Sequence, residues 1–231
     1  RLKRRFLRPI MRNASLILVA NSLGTAYWRY FGYPRERLVL CPCYSDYPRL
    51  EAARARARGD VLRQFGLAPE AKYFFTAARL AHAKGLDLMI DAFRAGGFAE
   101  RGYQYLIAGT GPLKEALEAR ARDGGVTGAI RLLGFQQPAD NLALMAQAEL
   151  FVLPSRYEPH GIVVSESMAA GTPVVASDVV GAAADLVWNV GTGAIFKTED
   201  AADLRETLER LVGDPEGLAR MRIAARDAFE R

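Results

Sequence analysis

Glu158 and Glu166 stand eight positions apart around Gly161 in the stretch LFVLPSRYEPHGIVVSESMAAGTPVV, residues 150–175. The pattern predicts a buried strand over Leu150–Leu153, a polar loop over Pro154–Gly161 and a short helix over roughly Ile162–Ala170. A glycine stop and a second strand, Pro173–Ala176, follow. A helix N-terminus offers unpaired N–H groups and the positive end of the helix dipole, so it can hold an anion, and glycine lets a ligand approach. A carboxylate one turn further in repels phosphate but accepts both hydrogens of a vicinal diol, such as a ribose's. Phosphate donors beside a diol acceptor make half of a nucleotide-sugar site.

Other residues could share that chemistry. Arg79 and Lys84, five apart, would suit a diphosphate, the first with a planar fork and the second with a mobile point charge. Each candidate also has a plainer reading. Two cations on one loop are commonly solvated. Gly109-Thr110-Gly111 completes neither GxGxxG nor a P-loop and alone is only a tight strand-to-helix turn. Glu158 and Glu166 could be a glycosidase-like acid/base pair or ordinary surface carboxylates. His160 reads as a loop residue, His82 as exposed, and Asp178 and Asp185 as helix caps.

These residues need elements to position them. Continuous apolar strands are expected at Tyr73–Ala77, Tyr103–Ala108, Ile130–Leu133, Leu150–Leu153 and Ala194–Phe196. Helical patterns at Leu86–Ala95, Leu113–Arg122, Asn141–Gln147 and Ala182–Val187 alternate with them. Two more helices, Asp200–Val212 with Thr198 as N-cap and Glu216–Phe229, close the chain. The alternation predicts an α/β fold, a doubly wound parallel sheet of Rossmann-like type, from about Ala52 onward. At its start, Arg49–Gly66 reads as a strongly charged helical stretch anchored by Leu50, Val61, Leu62 and Phe65. In such sheets ligands bind outside the carboxyl ends of the strands. The loops there carry Arg79 and Lys84, Gly109 and Gly111, Phe135 and Gln136, and the Glu158/Glu166 pair.

The first 47 residues read as a separate β–α–β piece: strands at Ala14–Ala20 and Arg37–Pro42 flank a helix at Leu23–Phe31. Pro42, Ser45, Asp46 and Pro48 mark the boundary, giving units 1–47 and 48–231. The chain opens on Arg1 rather than Met, so a piece of a longer or processed protein is expected. Half of the 231 residues are apolar, enough for a sizeable core. No apolar run approaches the roughly 20 residues of a membrane-spanning helix. Cys41 and Cys43 are too few for a disulfide framework and too close for a zinc knuckle, which fits reduced thiols in a cytoplasmic protein. The net charge of +5 is concentrated at the start, where residues 1–12 carry six cations and no acid. With Leu2, Phe6, Leu7, Ile10 and Met11 between them, residues 1–12 could rest on anionic lipid or pack as a surface helix, and Pro9 should interrupt that helix. No aromatic-basic platform points to nucleic acid.

Taken together, Arg79…Lys84-Gly85, Gly109-Thr110-Gly111-Pro112, Gly134-Phe135 and the string EPxGxxxxExMAxGxPVV at residues 158–175 resemble the retaining GT-B-fold glycosyltransferases of family 4. The likeness runs from about Gly59 onward, and residues 1–47 resemble the end of that family's acceptor-binding domain. The resemblance implies transfer of a sugar from a nucleotide-diphosphate donor, UDP- or GDP-linked, to a hydroxyl of a glycan or lipid-linked acceptor. It implies a donor-binding C-terminal domain that needs neither cofactor nor metal, in the cytoplasm or at the inner membrane face. Arg79 and Lys84 would bind the pyrophosphate and stabilise the leaving group. Amides at His160, Gly161 and Ile162 would hold the distal phosphate, with Gly109 and Gly111 also at the donor. Glu158 would lie beside the sugar, Glu166 would accept from the ribose hydroxyls, and Phe135 and Gln136 would flank the base. The chain departs from the family pattern at His160, Ser167, Val180, Asp185 and Cys43-Tyr44-Ser45. A non-catalytic nucleotide-sugar-binding protein and a GT-B-type epimerase are the alternatives.

Overall fold

The computed structural model describes residues 2–41 and 47–229. Cys43 and the boundary residues Pro42, Ser45 and Asp46 lie outside the described residues. The chain divides into two units, Arg1–Tyr44 and Ser45–Arg231.

In the first unit, helix α1 (Leu2–Asn13) precedes strand β1 (Ile17–Val19), helix α2 (Ser22–Tyr30) and strand β2 (Leu38–Leu40). The two strands pair in parallel with Ile17 opposite Leu38, around a small core of Val19, Tyr33 and Leu38. Asn21 caps α2 by accepting from the Gly24 N–H at 2.8 Å. Pro9 does not interrupt α1 as expected; it lies inside the helix. A proline removes one intrahelical hydrogen bond and crowds the carbonyl four residues back. The following turn carries on, with Ala14 N donating to Ile10 O at 2.9 Å.

The second unit opens with helices α3 (Tyr47–Arg54) and α4 (Arg58–Gln64), then strand β3 (Lys72–Ala77) and helix α5 (Leu86–Ala95). Strand β4 (Tyr103–Ala108), helix α6 (Lys114–Asp123), strand β5 (Ile130–Gly134) and helix α7 (Pro138–Gln147) follow. Next come strand β6 (Leu150–Leu153), helix α8 (Ile162–Ala170), strand β7 (Val174–Ser177) and a π-helical turn at Ala183–Trp188. Strand β8 (Gly193–Phe196) and helices α9 (Ala201–Val212) and α10 (Pro215–Phe229) complete it.

All six strands of this unit are parallel, in the order β5-β4-β3-β6-β7-β8. Both faces of the sheet are covered, which is why the central strands read as unbroken apolar runs. Alternate β3 residues separate to the two sides: Tyr73 and Phe75 join a core with α3, α4, α7 and α8, and Phe74 joins one with α5, α6 and α9. The strand order reverses direction between β3 and β6. That switch point is where a doubly wound sheet opens a crevice for ligand.

Two expectations need correction. Arg49–Gly66 is two helices, because the chain leaves the helical path at Ala57 (φ −61°, ψ 133°). The break lets Leu50 and Ala53 on one helix and Val61 and Leu62 on the other reach the same core. It also lets Arg58 donate to the carbonyls of Gln147 and Ala71. The cap of α9 is Asp200, not Thr198: its carboxylate accepts from the Ala202 and Asp203 N–H groups at 3.1 and 3.0 Å.

Candidate functional site at the sheet's switch point

The loop after β6 is built to present a helix start. Gly161 is the N-cap of α8 at φ +86°, a conformation side chains rarely take. A Cβ there would lie 2.9 Å from Val180 Cγ1 and 3.3 Å from Glu158 Cγ. The loop is propped from behind by the end of β7 and the residues that follow it. Glu158 O accepts from Gly181 N at 2.9 Å, His160 O accepts from Ala182 N at 2.8 Å, and Ser177 Oγ donates to Ser155 O at 2.6 Å. Asp178 caps no helix; it accepts from Thr198 N at 3.0 Å and ties the loop after β7 to the one after β8.

A cavity of about 580 Å³ opens at the carboxyl ends of β3, β4 and β5, roofed by α7 and α8. Arg79, Gly109, Gly111, Phe135, Gln136 and Glu166 all line it. Phe135 is 68% exposed, so its ring forms an open rim. The bare Cα positions of Gly109 and Gly111 seat the loop after β3: a Cβ on either would fall 1.9 Å from Ala78 O or 2.4 Å from Leu80 O. Burial raises the Glu166 carboxyl above the usual carboxylate range. Gln136 spends its Nε2 on Leu133 O at 2.7 Å.

Lys84 and Glu158 form a second group on adjoining loops. Lys84 Nζ lies 2.5 Å from Glu158 Oε2, and their side chains are only 25% and 15% exposed. Neither they nor His160, Gly161 and Ile162 line the 580 Å³ cavity, so the candidate residues fall in two neighbouring clusters. Another cavity of about 510 Å³ lies at the opposite, amino edge of the sheet between Arg54, Gln147 and Arg226, and contains no candidate residue. Among the described residues, no group of three or more His, Cys, Asp or Glu side chains is placed to hold a metal ion. No helix among them is long and apolar enough to cross a membrane.

Two residues of the site carried no signal in the sequence reading. Asn141 lines the cavity with a buried Oδ1 that takes no hydrogen bond among the described residues. Arg156, in the loop before Glu158, pairs with Asp87 and Glu199, which stand far from it in the chain.

A doubly wound parallel sheet with a crevice at its switch point is a Rossmann-like α/β domain. Residues 58–228 match Glycosyl transferases group 1, and the chain belongs to that family. It is 27% identical over 212 residues to the alpha-D-kanosaminyltransferase of Streptomyces kanamyceticus, covering 92% of this chain and 54% of the relative. It is 30% identical over 207 residues to the D-inositol 3-phosphate glycosyltransferase of Nocardia farcinica, covering 84% of this chain and 44% of the relative. The chain thus spans about half the length of these curated relatives. The fold is shared with Anabaena HepE, solved in complex with UDP-glucose, at a TM-score of 0.80 and 20% identity, covering 98% of this chain and 63% of HepE.

Proposed function

We propose that this chain is the donor-binding half of a retaining GT-B glycosyltransferase. It would bind a nucleotide-diphosphate sugar, UDP- or GDP-linked, for transfer of the sugar to an acceptor hydroxyl. The observation that carries this reading is the convergence of Arg79, Gly109, Gly111, Phe135, Gln136 and Glu166 on one cavity beside the Lys84–Glu158 pair. Family membership supports it, as does the likeness to HepE, which was solved with a nucleotide sugar.

In this reading the base enters between Phe135 and Gln136, where Asn141 Oδ1 offers an acceptor for a base N–H. Ionised Glu166 accepts from the ribose hydroxyls. Arg79 and Lys84 hold the pyrophosphate, and the N–H groups at His160, Gly161 and Ile162 take the distal phosphate at the positive end of α8. As the bond from the sugar to the phosphate oxygen breaks, negative charge grows on the nucleoside diphosphate. Fixed cations and a helix dipole stabilise that charge without reorganising. Glu158 lies beside the sugar and holds Lys84 in place. The acceptor enters from a further domain, and an acceptor carried on lipid would suit α1, where Phe6 and Ile10 are exposed.

Calorimetric titration with UDP-, GDP- and ADP-sugars, with Glu166→Ala as control, tests the reading. Micromolar binding of one nucleotide class that Glu166→Ala weakens is expected. Failure of all three to bind the intact protein would remove the proposal.

A further inference from the structure

We infer that Arg156 is a positioning residue for the Lys84–Glu158 pair; the inference rests on the transferase reading above. Its side chain is 12% exposed and its guanidinium makes four contacts. Nη1 and Nη2 donate to the two carboxylate oxygens of Asp87 at 2.7 and 2.8 Å, Nε donates to Glu199 Oε1 at 2.7 Å, and Nη1 also donates to His82 O at 3.1 Å. Four of its five N–H groups are therefore spent inside the protein, and the group is not free to grip a phosphate.

These contacts join three segments that the sheet keeps apart. His82 and Asp87 bracket Lys84 in the turn after β3, Arg156 lies in the loop after β6, and Glu199 follows β8. The main chain adds to the same junction: Arg156 N and Tyr157 N both donate to Ala83 O, at 2.8 and 3.2 Å. Gly85 presses so closely on the loop after β6 that a Cβ would fall 1.9 Å from Pro154 O. Lys84 thus stands on a turn fastened on both sides, and Glu158 is two residues beyond the fastening side chain. Glu199 sits at φ +63°, the one non-glycine residue with positive φ among those described. A strained backbone that delivers a carboxylate to Arg156 indicates a place where geometry is held against local preference. A planar fork can meet Asp87 with two parallel bonds and Glu199 with a third; an ammonium cannot. Arg156 pulls the Asp87 carboxyl below its ordinary range, in keeping with that geometry.

A residue that only fastened the fold would change melting and leave turnover of the folded protein intact. The test compares Arg156→Lys and Arg156→Gln in the intact protein, with folding checked by circular dichroism. A misplaced reacting group can cost on the order of 100-fold in rate. We expect kcat at saturating donor to fall on that order in both variants, with a smaller rise in KM and no rescue by lysine. Adding Glu158→Gln to Arg156→Gln should cost little more. Retention of kcat within about twofold in either folded variant, or losses that multiply, overturns the inference. Glu199→Ala removes one contact of four and keeps the test open where the Arg156 variants do not fold. A loss of about tenfold is then expected, and unchanged kcat overturns the inference. Should the wild type neither bind a nucleotide diphosphate nor transfer a sugar, the transferase reading fails by itself. Arg156 is then tested by thermal unfolding of Arg156→Gln, Lys84→Met and the double variant: non-additive melting shifts support positioning, and additive ones refute it.

Discussion

Lys84 Nζ and Glu158 Oε2 meet at 2.5 Å across two loops that are 74 residues apart in the chain. Each neutralises the other in the protein alone, so in the proposed reading an incoming pyrophosphate must share Lys84 with a carboxylate. Removing Glu158's charge frees that cation. Glu158→Gln should tighten binding of a free nucleoside diphosphate a few-fold while lowering sugar transfer by about 100-fold. Lys84→Met should weaken the diphosphate by about tenfold and cost about 2 kcal/mol of stability by leaving a shielded carboxylate without its partner. Titration calorimetry and urea unfolding measure both sides.

Glu166 supplies a pH dependence whose sign is fixed by its burial. Its folded-state pKa lies above its unfolded value of about 4.3. Between those two values the folded protein holds a proton that the unfolded chain has released. Stability therefore declines as pH rises through that window. Glu166→Gln should be more stable than wild type at pH 7, with the gain shrinking toward zero below about pH 4. Urea midpoints across that range check this. The same variant should weaken nucleoside-diphosphate binding by about tenfold, the cost of a charged hydrogen bond.

Gly161→Ala tests the entrance to α8. The new methyl group meets Val180 in a backbone conformation at φ +86°. A loss of about 1–3 kcal/mol is expected from the strain. Pairing it with Val180→Ala should relieve the contact but not the backbone cost, and urea unfolding of the two variants separates them.

The cap of α9 offers a comparison of neighbouring residues. Asp200→Ala should cost about 1 kcal/mol. Amide hydrogen exchange should then quicken at Ala202 and Asp203, whose N–H groups lose their acceptor. Thr198→Ala removes a contact with Asp178 and should leave exchange in that turn unchanged.

Much of this architecture is legible in the chain itself, for reasons specific to each element. A strand buried on two faces, such as Leu150–Leu153, reads as an apolar run, and the αL glycines Gly161 and Gly171 bracket α8 where the sequence pattern does. The cavity-lining loops could be gathered at one sheet edge because a parallel sheet gathers them there. The break at Ala57 was hidden because Arg58 caps carbonyls 13 and 89 residues away. Arg156 was hidden for the same reason, its acidic partners being 69 and 43 residues distant. Nor does spacing alone say that Lys84 and Glu158 touch, or that Asp200 outcompetes Thr198 for the first turn of α9.

The backbone bonds from Gly181 and Ala182 to Glu158 and His160 make the segment after β7 a buttress for a neighbour that it does not follow in sequence. Lengthening or trimming residues 178–182 would therefore tilt Glu158 and the start of α8 without altering a single side chain at the cavity. In the proposed reading, changes to that segment would alter which sugar fits, and donor preference would shift while every residue facing the donor stayed the same.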